Sequence, residues 1–263
     1  MTYIRLDLAD LALAALLVAV NGALSMVLAL GMERRLLVAA ARMVVQLLLV
    51  GLVLEALFAQ MSPWTTAAAA LAMVLFAGRE AVARQHRKLA GWWGYGLGTA
   101  AMLLAAGIVT VFALTTQLRP DPWYDPRYAI PLLGMVLGNT MTGISLGLDT
   151  LTGDVAQSRP AVEARLALGA DRWQAMLPVA RKALRAAMMP IVNAMSATGL
   201  VSLPGMMTGQ ILGGVAPVEA VKYQILIMFL IAGGTGFGAA AAVVGGVLRI
   251  TDSRHRLRPD RLA

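Results

Sequence analysis

The stretch Leu36-Leu-Val-Ala-Ala-Ala-Arg42-Met-Val-Val-Gln46-Leu-Leu-Leu-Val-Gly51-Leu-Val-Leu-Glu55-Ala-Leu-Phe58 is apolar without interruption by turn residues and without the alternation of a strand. It is long enough for a helix to cross the hydrocarbon, which takes ~20 residues. A barrel strand would alternate over ~10 residues instead. Working outward, runs of the same kind lie at about Leu6–Leu30, Trp64–Phe76 (extending toward Ala83), Trp92–Leu114, Tyr128–Leu148, Ala186–Leu203 and Tyr223–Leu248. The expectation is an all-α membrane bundle of about seven transmembrane helices, forming one domain over residues 1–263. With 263 residues, 59% hydrophobic and 14% charged, and a mean hydropathy of +0.73, the composition excludes both an ordinary soluble domain and a disordered chain.

The basic residues test this division, because short cytoplasmic loops hold the excess of Lys and Arg. Alternating sides leaves Arg5, Arg119, Arg127 and Lys222 on one side and the other eighteen of the 22 basic residues on the opposite side. This places the N-terminus outside and the C-terminus in the cytoplasm. The net charge of +8 therefore reads as topology rather than as a nucleic-acid surface, which would gather cations and stacking aromatics on one folded face. The zero Cys rule out disulfides and thiolate metal sites. Because Arg5 is followed by Asp7 and Asp10 and the first run is too long for a signal-peptide core, it reads as a retained span rather than a signal peptide.

One segment between apolar runs is polar. Ser158 to Arg185 reads as two short amphipathic helices broken at Gly169, with Pro160 and Glu163 marking one start and Asp171 with Gln174 at capping-box spacing marking the other. Val162, Leu166, Trp173, Leu177 and Leu184 recur at helical spacing and call for a greasy partner. Glu163, Arg165, Gly169, Arg172 and Trp173 are the residues expected to engage it. An interfacial helix lying on anionic lipid is the competing reading.

No G-x-x-x-x-G-K-[ST] occurs in the chain, so ATP, if used, is hydrolysed by another polypeptide. The chain is expected to be a non-enzyme with no bound cofactor of its own. His86 and His255 lie on basic flanks and read as solvated bystanders. Polar groups inside spans mark either a water-lined path or interhelical glue. Gln46, Asn139 and Thr142 fall at mid-depth, with Asn193 and Ser196 a little shallower. Together with Glu55 and Asp149 near span ends, they form the candidate substrate pathway, and Arg42 is a candidate ion-pair partner for Asp149. Without Cys or His in the spans, a metal in transit would meet only oxygen, amide and methionine sulfur donors, so no resident metal site is assigned. Gly94, Gly98, Gly234 and Gly238 are spaced for close helix approach. Gly205, Gly209, Gly213 and Gly214 argue against one regular helix over 204–221, leaving a re-entrant segment or an external loop.

Leu203-Pro-Gly-Met-Met-Thr-Gly-Gln-Ile-Leu212, followed by Pro217, Glu219-Ala-Val221 and Tyr223-Gln-Ile-Leu-Ile-Met228, resembles the FetB (YbbM) family of ABC-transporter permeases. These are bacterial iron exporters related to a plant aluminium-tolerance membrane subunit. Arg42-Met-Val-Val-Gln46, Gly138-Asn-Thr-Met-Thr-Gly-Ile-Ser-Leu146 with Asp149, and Glu163-Ala-Arg-Leu-Ala-Leu-Gly169 extend the resemblance over nearly the whole chain. Met43 and Thr142 depart from the family's pattern. The resemblance implies an inner-membrane permease subunit that exports iron, pairs with an ATP-binding subunit, and forms a homodimer within a 2+2 complex. It also implies that residues 158–185 act as cytoplasmic coupling helices, Glu163 to Gly169 being similar to the E-A-A-x-x-x-G loop of ABC importers. A secondary transporter or channel, and a permease for a non-metal substrate, are the alternatives.

Overall fold

The computed structural model describes residues 7–262; Arg5 and the Leu6 start of the first span lie outside the described residues. The described residues are helical, with only isolated bridges in place of strands. The helices are α1 (Leu8–Val27), α2 (Glu33–Gln60), α3 (Pro63–Ala83), α4 (Trp93–Phe112), α5 (Pro126–Gln157), α6 (Arg159–Ala167), α7 (Arg172–Ala197), α8 (Gly205–Leu212) and α9 (Pro217–Ile250). α4 runs on into a π-helical stretch, Ala113–Leu118. Six of them, α1 to α5 and α9, are long and apolar enough to cross a membrane. The chain divides into two compact units, residues 1–60 and 61–263.

The first unit is a helical hairpin. Ser25 ties its turn, its hydroxyl donating to Glu33 (3.1 Å) and accepting the backbone N–H of Met32 (3.0 Å). The second unit is a bundle whose helix directions follow from the close contacts. Gly134 meets Met73 while the Ser145 hydroxyl donates to the Ala81 carbonyl, so α3 and α5 run parallel. Gly234 faces Val136 and Gly246 faces Leu151, so α5 and α9 also run parallel. Gly238 faces Ala105 and Gly245 faces Leu97, which makes α4 antiparallel to α9, and Gly143 and Gly147 face Ala187 and Ala183, which makes α7 antiparallel to α5. Lipid offers no hydrophobic drive between helices, so these small-residue seams let backbones approach and gain dispersion contacts instead. Of the four glycines singled out in the sequence, Gly98, Gly234 and Gly238 sit on such seams, whereas Gly94 rests on Leu89 of the α3–α4 connection. Met102, Val136, Ile144, Leu148, Leu151, Met176 and Val243 form the buried centre.

This arrangement gathers the starts of α4 and α7, the ends of α3, α5 and α9, and all of α6 at one end of the bundle. Of the unit's basic residues only Arg119, Arg127 and Lys222 lie at the other end.

One expectation is corrected. Residues 158–185 are not two short helices followed by a separate span from Ala186. The second helix continues as α7 from Arg172 to Ala197, with Pro178 and Pro190 inside it. Nothing at 185–186 breaks it, and 26 residues at ~1.5 Å each give a rod of ~39 Å. It leaves the helix before Gly199 (φ +91°) rather than at Leu203. Its basic first half explains why α7 is not apolar enough to be counted among the six. Over 204–221 the chain is, as expected, not one regular helix: α8 covers Gly205–Leu212 and packs on α9, the chain turns at Gly214 (φ +95°), and α9 starts at Pro217.

Candidate functional site

The basic end is built around the α6–α7 hairpin. Ser158 closes α5, its hydroxyl donating to the Asp154 carbonyl (2.6 Å), and Pro160 sets the first turn of α6. Gly169 has φ +92°, a left-handed conformation that non-glycine residues adopt only at a cost, and its backbone N–H is accepted by Leu166 (3.1 Å). Asp171 then caps α7 as the spacing predicts. Its carboxylate accepts the Gln174 backbone N–H (2.8 Å), while the Gln174 side chain accepts the N–H of Asp171 (3.1 Å).

The expected coupling residues divide by role. Glu163 pairs with Arg159 at 2.7 Å along α6. The Arg165 guanidinium donates to the Ala175 carbonyl (3.4 Å), joining the two helices. Arg172 lies over the Trp173 ring, 5.8 Å from its centroid. The apolar stripe splits too. Val162 is buried and Leu166 and Leu184 are half-buried against the core, whereas Trp173 and Leu177, with Leu168 (88% exposed), remain outside. Only these last three are free to meet a partner, a distinction that helical spacing cannot make because both sets repeat at the same period.

The candidate pathway residues fall into two groups. On α2, Gln46 and Glu55 are both exposed. Nine residues of regular helix turn them to opposite faces, ~13 Å apart along the axis. In the second unit, Asn139 is exposed and donates to the Met135 carbonyl (2.9 Å), and Thr142 donates to Gly138 (3.0 Å). Asn193 is exposed on α7. Measured from the point where Gly143 meets Ala187, Asn139 lies ~6 Å and Asn193 ~9 Å toward the same end. The fold thus brings the two amides to similar depth on the outside of the unit, the α5 amide and hydroxyl turned partly onto their own backbone.

Asp149 has a different setting. Its Oδ1 accepts the backbone N–H groups of His86 (2.7 Å) and Arg87 (3.3 Å), and its Oδ2 lies 3.1 Å from His86 Nδ1. Thr152, one turn on, donates to the Arg87 carbonyl (3.0 Å). The Asp149 carboxylate is held by the α3–α4 connection, and His86, read as a bystander, lies within hydrogen-bonding distance of it. Removing the acceptor should be costly, since a hydrogen bond to a charged group contributes about 1.5–3 kcal/mol. Asp149→Ala is expected to lower unfolding stability by about that much, and Asp149→Asn, which keeps Oδ1, by less. If Asp149→Asn impaired transport at unchanged stability, the charge itself would be used in the pathway.

Sequence reasoning missed the residues after α9. Asp252 accepts the backbone N–H groups of Arg256 and Arg254 (2.9 Å each) and pairs with the Arg256 side chain (2.8 Å). The Arg256 backbone N–H, then the Arg256 guanidinium and the Arg254 N–H, lower its pKa to about 2 against an opposing desolvation. A depressed carboxylate stabilises fully above its unfolded pKa, here 3.8, and this support is lost progressively as pH falls from there through about 2. Arg261 donates to the Arg249 carbonyl (2.8 Å) at the end of α9, and Arg249 covers Trp93 at 4.7 Å. His255, the other supposed bystander, accepts the backbone N–H of Arg172 (3.1 Å). Among the described residues there is no group of three or more His, Asp or Glu that could hold a metal ion.

Spanning helices, small-residue seams and one charge-rich end with an exposed hairpin define a polytopic membrane protein. Residues 8–250 match the family described as Uncharacterised protein family (UPF0014), and the chain belongs to it. It is 33% identical to the probable iron export permease protein FetB of Escherichia coli, over 94% of this chain and 93% of that one. It is 39% identical to the UPF0014 membrane protein STAR2 of rice, over 82% and 74% of the two chains. Identity to the protein ALUMINUM SENSITIVE 3 of Arabidopsis thaliana is 36%, over 78% and 72%. No solved structure matches.

Proposed function

We propose that this chain is the permease subunit of an ATP-driven ABC transporter of the inner membrane, exporting iron and energised by a separate ATP-binding subunit that docks on residues 158–185. The observation that carries this reading is that exposed Trp173 and Leu177, which follow exposed Leu168 at the end of α6, belong to α7, a single helix that continues into the bundle. A push at Trp173 is therefore transmitted along ~39 Å of rod. Ala183 and Ala187, set against Gly147 and Gly143 of α5, convert it into relative motion of α5 and α7. The excess of Lys and Arg at the hairpin end supports a cytoplasmic location for it, with the C-terminus on the same side. Iron as cargo is supported by the name of the Escherichia coli relative.

Asn139 and Asn193, exposed near mid-span, with half-buried Thr142, would line the path for a cation. Oxygen and amide donors at such a depth are costly against lipid, and a second copy facing them, within a 2+2 complex, would remove that cost. The test is reconstitution with the ATP-binding subunit in liposomes loaded with Fe²⁺ on the subunit's side. Flux is expected only with ATP. Equal flux without ATP would mean a secondary transporter or channel, and ATP turnover that moves no Fe²⁺ would mean another substrate.

A further inference from the structure

The segment after α9 lies beyond residues 8–250 that match the family, yet it is folded. Thr251 bridges to Leu257 across a hairpin organised by Asp252, and the Arg258 N–H donates back to the Ile250 carbonyl (2.8 Å). Leu262 pairs with Leu89, and the Ala90 N–H donates to Arg261 (2.8 Å), fastening the segment to the α3–α4 connection. His255, at the hairpin tip with φ +54°, takes the N–H of Arg172. That N–H belongs to the first turn of α7, where backbone donors have no partner within the helix.

Around this contact stand Arg165, Arg172, Arg254 and Arg256 against Asp171 and Asp252, four positive charges against two negative, next to exposed Trp173. We propose that the hairpin Thr251–Leu257 is a second arm of the docking surface: it fixes the first turn of α7 and presents Arg254 to an acidic patch on the ATP-binding subunit. The inference rests on the docking role assigned above to residues 158–185. It makes the footprint composite, so that the partner reads the end of α9 as well as the hairpin of α6 and α7. It also makes the tail a device by which this chain selects its own partner, since charge at the edge of an interface acts mainly on recognition and association.

Two variants separate the roles. His255→Ala removes the contact to α7, and Asp252→Ala removes the carboxylate that shapes the hairpin. Both are expected to speed amide exchange over residues 171–176 by roughly fivefold or more in the purified full chain, as loosening of a local structural unit does. Arg254→Glu is expected to leave that exchange unchanged and to weaken binding of the ATP-binding subunit about tenfold, mostly in the association rate. Trp173→Ala serves as the benchmark. If it weakens binding and Arg254→Glu does not, or if exchange is unmoved in both tail variants, the tail inference is overturned while the docking role of 158–185 stands. If Trp173→Ala itself leaves binding intact, the docking role fails. Exchange of residues 251–257 is expected to be the same in nanodiscs of phosphatidylcholine with and without phosphatidylglycerol. Protection that appears only with the anionic lipid would make headgroups the occupant and overturn the proposal.

Discussion

Valine in place of Gly169 is expected to leave the protein inserted and folded while reducing ATP-driven transport about tenfold or more at nearly unchanged ATP turnover, as loss of a positioned element does. The reasoning is conformational. Gly169 has φ +92°, and a Cβ there would meet nothing within 4 Å, so the site has room but the wrong backbone geometry for a β-branched residue. Left-handed backbone costs an L-residue roughly 1–2 kcal/mol, and more for a branched one. The cheapest relief is to reopen the turn between α6 and α7. That pulls Arg165 from the Ala175 carbonyl and shifts Trp173 relative to α6. Asparagine, which tolerates this region best after glycine, should retain most transport, alanine less and valine least. Parallel transport and ATPase assays on the reconstituted complex check the order, and full transport by Gly169→Val would mean that the hairpin angle is not used.

Leucine at Gly143 or Gly238 is expected to have the largest effect on stability, about 3 kcal/mol or more, at the upper end of overpacking costs. A Cβ at Gly143 would stand 2.7 Å from Thr235 Cγ2 and 3.1 Å from the Ala187 carbonyl oxygen. The latter is backbone in the middle of α7 and cannot rotate away. At Gly238 it would lie 2.5 Å from Thr140 Cγ2 and 3.2 Å from Ile144 Cδ1. Both residues belong to α5, which contacts every other long helix of its unit. Relief therefore requires α5, α7 and α9 to separate, with loss of the dispersion contacts that hold membrane helices together. Gly153→Ala, on the same α5 with nothing within 4 Å of its Cβ, is the matched control and should be neutral or slightly stabilising. Thermal unfolding in detergent distinguishes these outcomes, and equal midpoints for Gly143→Leu and Gly153→Ala would show that the seam is not as close as described.

Much of this was legible in the chain because it depends on local chemistry. Continuous apolar runs of span length dictate helices wherever water is absent, since only a helix satisfies its backbone within one segment. Asp171 and Gln174 announced the cap of α7, and the glycines at 234 and 238 announced close packing. The basic residues sorted themselves by helix end for the same reason, because the direction of every span is fixed once the spans are counted. The extent of α7 was less legible: the change from basic to apolar composition at 185–186 looks like a boundary, yet the backbone sees no proline or glycine there and continues.

Which members of a periodic pattern face out, and which polar groups find partners, depends on packing between distant helices. Val162 and Trp173 have the same spacing logic, but packing hides one and leaves the other exposed. Gln46 and Glu55 share a helix and point apart, whereas Asn139 and Asn193, from different helices, come to similar depth. Asp149 and His86, 63 residues apart, and Arg172 and His255, 83 apart, meet because helix directions bring their ends together. A sequence fixes each helix through interactions within a few turns. The pairing of distant carboxylates, imidazoles and backbone donors depends on how whole helices seat against one another, and that is set by side-chain volumes along seams many residues away.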